Sequence, residues 1–252
     1  PAYLGDANDP ERTLSVPYQG IIGGIVYNKK MYKEATGKDA PTSLADVWAP
    51  ELKGRVGLIS EMRDSVGLTL LSQGIDITSE ESLTEDAFNA AVEFIAAQVS
   101  SGQIFNIKGN SYGEDLTNGN IIVALAWSGD TTILNAEVGE DRFGFVVPDT
   151  GATISSDSFV VPMGSAHKKN AEALINYYYD PVNAAELAAY VNYVTPVVGA
   201  KEEMLKTDPQ LAENPLIFPS EEFLSNVFAF RALTGQEEQR FATAWQNVLL
   251  GA

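Results

Sequence analysis

The sequence predicts an α/β fold on three observations. Short apolar runs bounded by turn residues alternate with segments of helical periodicity along most of the chain, and that alternation marks α/β architecture. Two of these runs, Val56-Gly57-Leu58-Ile59-Ser60 and Ile121-Ile122-Val123-Ala124-Leu125-Ala126-Trp127, pass straight into helix candidates. At 252 residues, with 45% apolar and 20% charged side chains, the chain can bury the core of one large domain or of two lobes.

The elements follow in order. Pro1 to Glu11 is rich in Gly, Asp, Asn and Pro and reads as a loop. Leu14 to Tyr18 and Ile21 to Asn28 read as two extended segments, with Gly23 and Gly24 permitting close approach by a neighbour. Lys29 to Thr36 is a short helix closed by Gly37, and Ser43 to Trp48 a second one ended by Pro50. After the strand Val56 to Ser60, Asp64 or Ser65 is placed to cap a helix through Leu71, with Gly74 closing it. Ser82 and Glu85 have capping-box spacing, and behind them Phe88, Val92, Ile95 and Val99 hold one helical face. Ile121 to Trp127 is a buried strand that runs through Ser128-Gly129-Asp130 into a helix. Phe143 to Val147 and Ser158 to Val161 are strands joined by a turn rich in Pro, Gly and Thr. From Asn170 onward helices dominate, with breaks at Asp180-Pro181 and Thr195-Pro196. There is no internal repeat.

Composition removes several functional classes. The chain carries 34 acidic against 16 basic residues, a formal charge of −18, which repels phosphate backbones and argues against a nucleic-acid partner. Most of those acids read as solvated surface. The absence of cysteine excludes disulfides, thiol nucleophiles and thiolate metal sites. His167, in the polar run Ser165 to Asn170, is the one histidine and reads as an exposed approach to a helix, which leaves no basis for zinc. No metal or cofactor is expected. The glycines at 20, 23 and 24 do not make a dinucleotide fingerprint, and no apolar run has membrane-spanning length.

The candidate site lies where the strand at Val56 runs out into Glu61 and Asp64. Ligands of open α/β sheets sit beyond the carboxyl ends of strands, and two acids there suit an ammonium group through charge-assisted hydrogen bonds. The competing reading has Asp64 capping the next helix and Glu61 paired with Arg63. Trp127, also at a strand end, offers a ring face to a cation or else belongs to the core. Asp157 is a loop cap or a third acid. The run Tyr177-Tyr178-Tyr179 invites a ferric-site reading, against helix packing. Glu61 and Asp64 also admit a carboxylate-dependent hydrolase, for which the separation of the two acids is decisive and is not given by sequence.

A series of segments resembles the polyamine-type (spermidine/putrescine) solute-binding proteins of bacterial ABC importers, in the two-lobed periplasmic binding protein class of type II. The pieces are Val16-Pro17-Tyr18 leading to Gly24-Ile25-Val26-Tyr27-Asn28, then Thr42 to Gly54 (TSLADVWAPELKG), Ala126-Trp127-Ser128-Gly129, Asp157-Ser158-Phe159-Val160-Val161-Pro162, Ala173-Leu174-Ile175-Asn176 and Tyr193-Val194-Thr195-Pro196. Their order and spacing agree across nearly the whole chain. The resemblance implies that residues 1–28 form part of a first lobe and the hinge crossing, 29–150 a second lobe, and 151–252 the return and the remainder of the first. It implies that the family's opening strands and helices precede the segment matched by Pro1 and are supplied by another chain or segment, together with any membrane anchor.

The implied activity is extracytoplasmic or periplasmic capture of a small amine by hinge closure, without catalysis, for delivery to the membrane subunits of an importer. The family's ligand positions fall on Glu61, Asp64, Trp127, Asp157 and Tyr193. Two positions depart: Ser155 stands where polyamine binders often carry a tryptophan, and Arg231 where they carry a neutral amide. A guanidinium there would suit the carboxylate of a zwitterion such as γ-aminobutyrate, which leaves diamine and zwitterion both open.

Overall fold

The computed structural model describes residues 9–251. They form two compact units: one of residues 9–22 with 154–225, the other of 23–153 with 226–251. The chain therefore passes between units at Ile22/Gly23, at Thr153/Ile154 and at Ser225/Asn226.

The larger unit is a sheet covered by helices. Strand β1 (Ser15–Asn28) enters it, and its half from Gly23 onward pairs antiparallel with β4 (Val123–Trp127) and with β5 (Phe143–Val146). β2 (Val56–Ile59) lies parallel to β3 (Ile104–Lys108) and to β4. The strand order is β3-β2-β4-β1-β6-β7, where β6 is Ala152–Val160 and β7 is Val227–Phe228. Val56, Leu58, Val123 and Leu125 are fully buried, which is why both central strands read as continuous apolar runs.

Between the strands run α1 (Lys29–Thr36), α2 (Leu44–Val47), α3 (Met62–Ser72), α4 (Glu85–Ser100), α5 (Tyr112–Thr117) and α6 (Ser128–Val138). α1 ends at Gly37, whose φ of 75° is the left-handed conformation that glycine tolerates. The N-cap of α4 is Thr84, which accepts from the Ala87 amide at 3.2 Å. The expected Ser82 cap does not form, because the Ser82 hydroxyl accepts from the Asp76 amide instead. On α4, Phe88, Val92 and Ile95 are buried as the periodicity predicts.

The smaller unit is helical around a tight aromatic and alanine core. It holds α7 (Lys168–Tyr178), α8 (Pro181–Val191), α9 (Ala200–Thr207), α10 (Pro209–Ala212) and α11 (Glu221–Leu224). Pro181 sits in the first turn of α8, where its missing N–H costs nothing, and Asp180 caps that turn. Tyr178 packs against Tyr18 and Phe159, with ring centroids 5.3 Å apart in both pairs.

The tail departs from the expected boundaries. Residues 226–251 join the larger unit, where α12 (Gly235–Gly251) lies on α4. Phe241, Trp245 and Val248 are buried there, and Phe241 stacks on Phe88 at 3.8 Å with rings 7° from parallel. Two further expectations change: β1 is one continuous strand rather than two segments, and β6 begins at Ala152 inside the stretch read as a turn. The loop expected over Pro1 to Glu11 falls largely outside the described residues. No described helix is long and apolar enough to cross a membrane.

Candidate functional site

The site is built at the carboxyl ends of β2 and β4. β2 stops at Ile59, and α3 starts at Met62 with Glu61 as its N-cap residue. Glu61 makes no side-chain cap, and the Ser65 hydroxyl donates to the Ile59 carbonyl at 2.6 Å, so neither expected capping role of this junction is used. Asp64 points inward from the first turn of α3 and is 6% exposed. Its Oδ2 accepts from Trp127 Nε1 at 3.1 Å and its Oδ1 from the Thr153 hydroxyl at 2.8 Å. Asp64 therefore caps nothing; it is held from β4 and β6 at once.

Electrostatics set this carboxylate apart. Burial pushes its pKa above the usual carboxylate range, opposed by the bonds from Thr153 and Trp127. Among nearby charges Glu61 raises it further and Arg63 lowers it. A carboxyl group buried with two neutral donors keeps unused lone pairs, and its ionised form would gain from a cation placed beside it.

Glu61 is exposed and makes no ion pair among the described residues. Arg63, its expected partner, pairs with Glu238 of α12 at 2.6 Å. Trp127 is half-buried at the junction of β4 and α6, its amide donating to the Tyr112 hydroxyl at 3.2 Å. Tyr112 in turn donates to Asp130 in the first turn of α6, which fixes the turn that carries the indole. Trp245 Nε1 donates to the Ser60 carbonyl at 2.7 Å, so the C-terminal helix braces the same junction.

The structure brings Asp64 and Trp127 into contact, with Glu61 one turn away on the same helix end. Asp157 and Tyr193 belong to the smaller unit: Asp157 is exposed within β6 rather than before a strand, and Tyr193 is half-buried. Arg231 belongs to the larger unit, but its guanidinium is committed elsewhere. It donates to Glu237 through Nη2 at 2.6 Å and Nη1 at 3.3 Å, and to the Leu83 carbonyl at 2.9 Å. This fork holds the Glu237 carboxyl down at about 2 and ties the start of α12 to the chain before α4. Sequence alone misses Thr153, which stands in a turn-like stretch; its signal is a glycine on β1.

That glycine is Gly23, paired with Trp127 in the β1–β4 register. A Cβ there would lie 2.3 Å from Thr153 Oγ1 and 2.8 Å from Asp64 Oδ1. Only a residue without a side chain leaves room for the Asp64–Thr153 bond.

The ferric reading of the tyrosine run finds no support in the geometry. The Tyr178 hydroxyl is buried, donates to the Tyr18 carbonyl, and has its pKa pushed up to about 12 by burial, so it stays protonated. Tyr179 donates to the Pro17 carbonyl at 2.6 Å and Tyr177 is exposed. Among the described residues no group of three or more His, Asp or Glu could hold a metal ion.

Comparison with known proteins fits this frame. Residues 1–219 match the family described as bacterial extracellular solute-binding protein. The chain belongs to this family. It is similar to spermidine/putrescine-binding periplasmic protein 1 of Haemophilus influenzae, 25% identical over 227 residues that cover 90% of this chain and 59% of the relative. It is similar also to the putrescine-binding periplasmic protein PotF of Escherichia coli, 26% identical, covering 97% and 67% of the two chains. The chain thus spans about three fifths to two thirds of these relatives.

In fold the family member resembles the spermidine/putrescine ABC transporter substrate-binding protein PotD of Streptococcus pneumoniae, with a TM-score of 0.78 at 23% identity over 100% of this chain and 73% of that one. It also resembles the binding protein MotA of Agrobacterium tumefaciens solved with glucopine, with a TM-score of 0.74 at 15% identity over 99% and 75%. Solved structures at these identities speak for the two-lobed α/β fold alone.

Proposed function

We propose that this chain carries the amine-binding half-site of an extracytoplasmic solute-binding protein that serves an ABC importer. The observation that carries the reading is the buried Asp64 carboxylate, held by Trp127 and Thr153 and lacking a cationic partner of its own. A protonated amine supplies that partner, and the Trp127 ring beside it suits both the charge and an alkyl chain. Glu61 adds a second, solvated negative charge at the mouth. Asp157 and Tyr193 stay in the proposed ligand set on the family resemblance. Such capture makes and breaks no bond, and membership of a solute-binding family gives no support to a hydrolase built on Glu61 and Asp64.

A polyamine is favoured over γ-aminobutyrate, because Arg231, the group that would pair with a carboxylate, is already engaged by Glu237 and the Leu83 carbonyl. The polyamine-binding names of the relatives point the same way. Exposed Met163, Leu174, Tyr177, Tyr190 and Val198 all lie in the smaller unit, a concentration that supports its coverage by further polypeptide in the assembled protein. The relatives support a periplasmic or extracytoplasmic location.

Titration calorimetry of the full protein against putrescine, spermidine and γ-aminobutyrate tests the reading. Putrescine or spermidine binds, γ-aminobutyrate does not, and Arg231→Gln leaves the amine affinity within about twofold while lowering stability, because Glu237 loses its bidentate partner. Binding of γ-aminobutyrate that disappears in Arg231→Gln would overturn the assignment.

A further inference from the structure

The seat of Asp64 holds a residue to which the ligand set above assigns no role. Thr153 is 2% exposed, its hydroxyl donates to Asp64 Oδ1, and its methyl packs over the backbone of α3 at Gly67, where an added Cβ would lie 2.9 Å from Thr153 Cγ2. It is the last residue of the larger unit before β6 leads into the smaller one, and it pairs with Phe228 of β7. Gly23, the first residue of that unit on β1, clears the space the bond occupies. At the two residues where the chain changes units, Thr153 thus bonds the carboxylate and Gly23 leaves it room.

We propose that Thr153 is a positioning residue for amine recognition: its hydroxyl fixes the Asp64 carboxylate so that the free lone pairs face the ligand. The inference rests on the amine-binding reading. Without the hydroxyl, Oδ1 loses a donor in a dry setting, and the carboxylate is free to turn about its χ2 and is harder to keep ionised.

The charged groups acting on Asp64 are Glu61, the N-cap residue of α3, and Arg63 in its first turn; β1 presents Gly23, β4 presents the indole of Trp127 and β6 presents Thr153, none of which titrates. Glu61 and Asp157 of the proposed ligand set are carboxylates too, so the ligand-free titration against Asp64→Asn, and not the acid limb of binding alone, identifies a shift in Asp64 itself. Burial already raises the Asp64 pKa and Thr153 is the larger of the two hydrogen-bond influences that lower it, so removing the hydroxyl moves it up again.

The test compares the full protein with Thr153→Val, which keeps shape, and Thr153→Ser, which keeps the hydroxyl. Putrescine affinity is measured by calorimetry from about pH 5 to 8, and the Asp64 carboxyl titration in ligand-free protein by infrared difference spectroscopy against Asp64→Asn. Thr153→Val is expected to lose about tenfold in affinity at neutral pH. Its loss of binding begins at higher pH, its Asp64 titration moves up, and Thr153→Ser restores all three. Wild-type affinity and an unmoved titration in Thr153→Val overturn the proposal, as does an equal loss in the valine and serine variants. If the wild-type protein binds no amine, the functional reading fails, and the ligand-free titration still decides whether Thr153 governs Asp64.

Discussion

Asp64→Asn is expected to raise the thermal midpoint of the ligand-free protein while removing amine binding. The carboxylate is 6% exposed and its pKa lies above the usual range because of burial, so the folded state holds its proton more tightly than the unfolded chain does. The sign follows from linkage. In acid both states are protonated and the group costs nothing. As pH rises from the ordinary carboxylate range to the raised folded value, the unfolded state releases its proton first and stability falls. At neutral pH the native protein therefore carries a penalty that asparagine lacks.

Asparagine can keep both contacts, accepting from Trp127 Nε1 and donating to the Thr153 hydroxyl, which is free to rotate. The expected gain is on the order of a few degrees at pH 7 and vanishes toward about pH 4. Amine affinity falls at least about thirtyfold, because the ammonium loses its charged partner in a desolvated setting. Calorimetric melting at the two pH values, with putrescine titrations beside it, reads both effects. An asparagine variant that is less stable at neutral pH and still binds would contradict the account.

Phe241→Ala is expected to cost about 3–5 kcal/mol of unfolding free energy, the range for deleting a buried phenylalanine. Phe241 is 1% exposed and stacks on Phe88, so its loss opens a cavity between α12 and α4. The same helix carries Glu238, which holds Arg63, and Trp245, which donates to the Ser60 carbonyl. Loosening α12 therefore reaches the junction that bears Glu61 and Asp64. Urea unfolding should show the loss, with Phe241→Leu costing less than half as much. A loss below about 1 kcal/mol would mean that α12 is not docked as described.

What sequence could reveal was local. The junction from β2 to α3 was legible because an apolar run, two acids and a new helical period lie within ten residues. The partners of Asp64 were not, since Trp127 is 63 and Thr153 is 89 residues further along. Thr153 stands among prolines, glycines and threonines that imitate a turn, and only the sheet register turns that stretch into the start of β6. Gly23 marks a site of close approach, but a glycine cannot name the side chains that approach it.

Other losses have equally plain causes. β3 alternates little, with Phe105 exposed beside polar Asn106 and Lys108, so it gives no strand pattern, although it lies parallel to β2. The apolar face of α12 at Phe241, Trp245 and Val248 is regular, yet nothing local specifies which unit receives it, and the tail was expected in the other one. Arg231 could be matched to a position but not aimed; its partner Glu237 lies six residues on, across the start of a helix.

The most direct measurement is a crystal structure of the full protein with putrescine bound. The account predicts one ammonium within about 3 Å of an Asp64 carboxylate oxygen. It places the Trp127 ring along the methylenes, keeps the Thr153 bond in place and leaves Arg231 on Glu237. A ligand whose ammonium groups both lie away from Asp64, or an Arg231 turned onto the ligand, would contradict it.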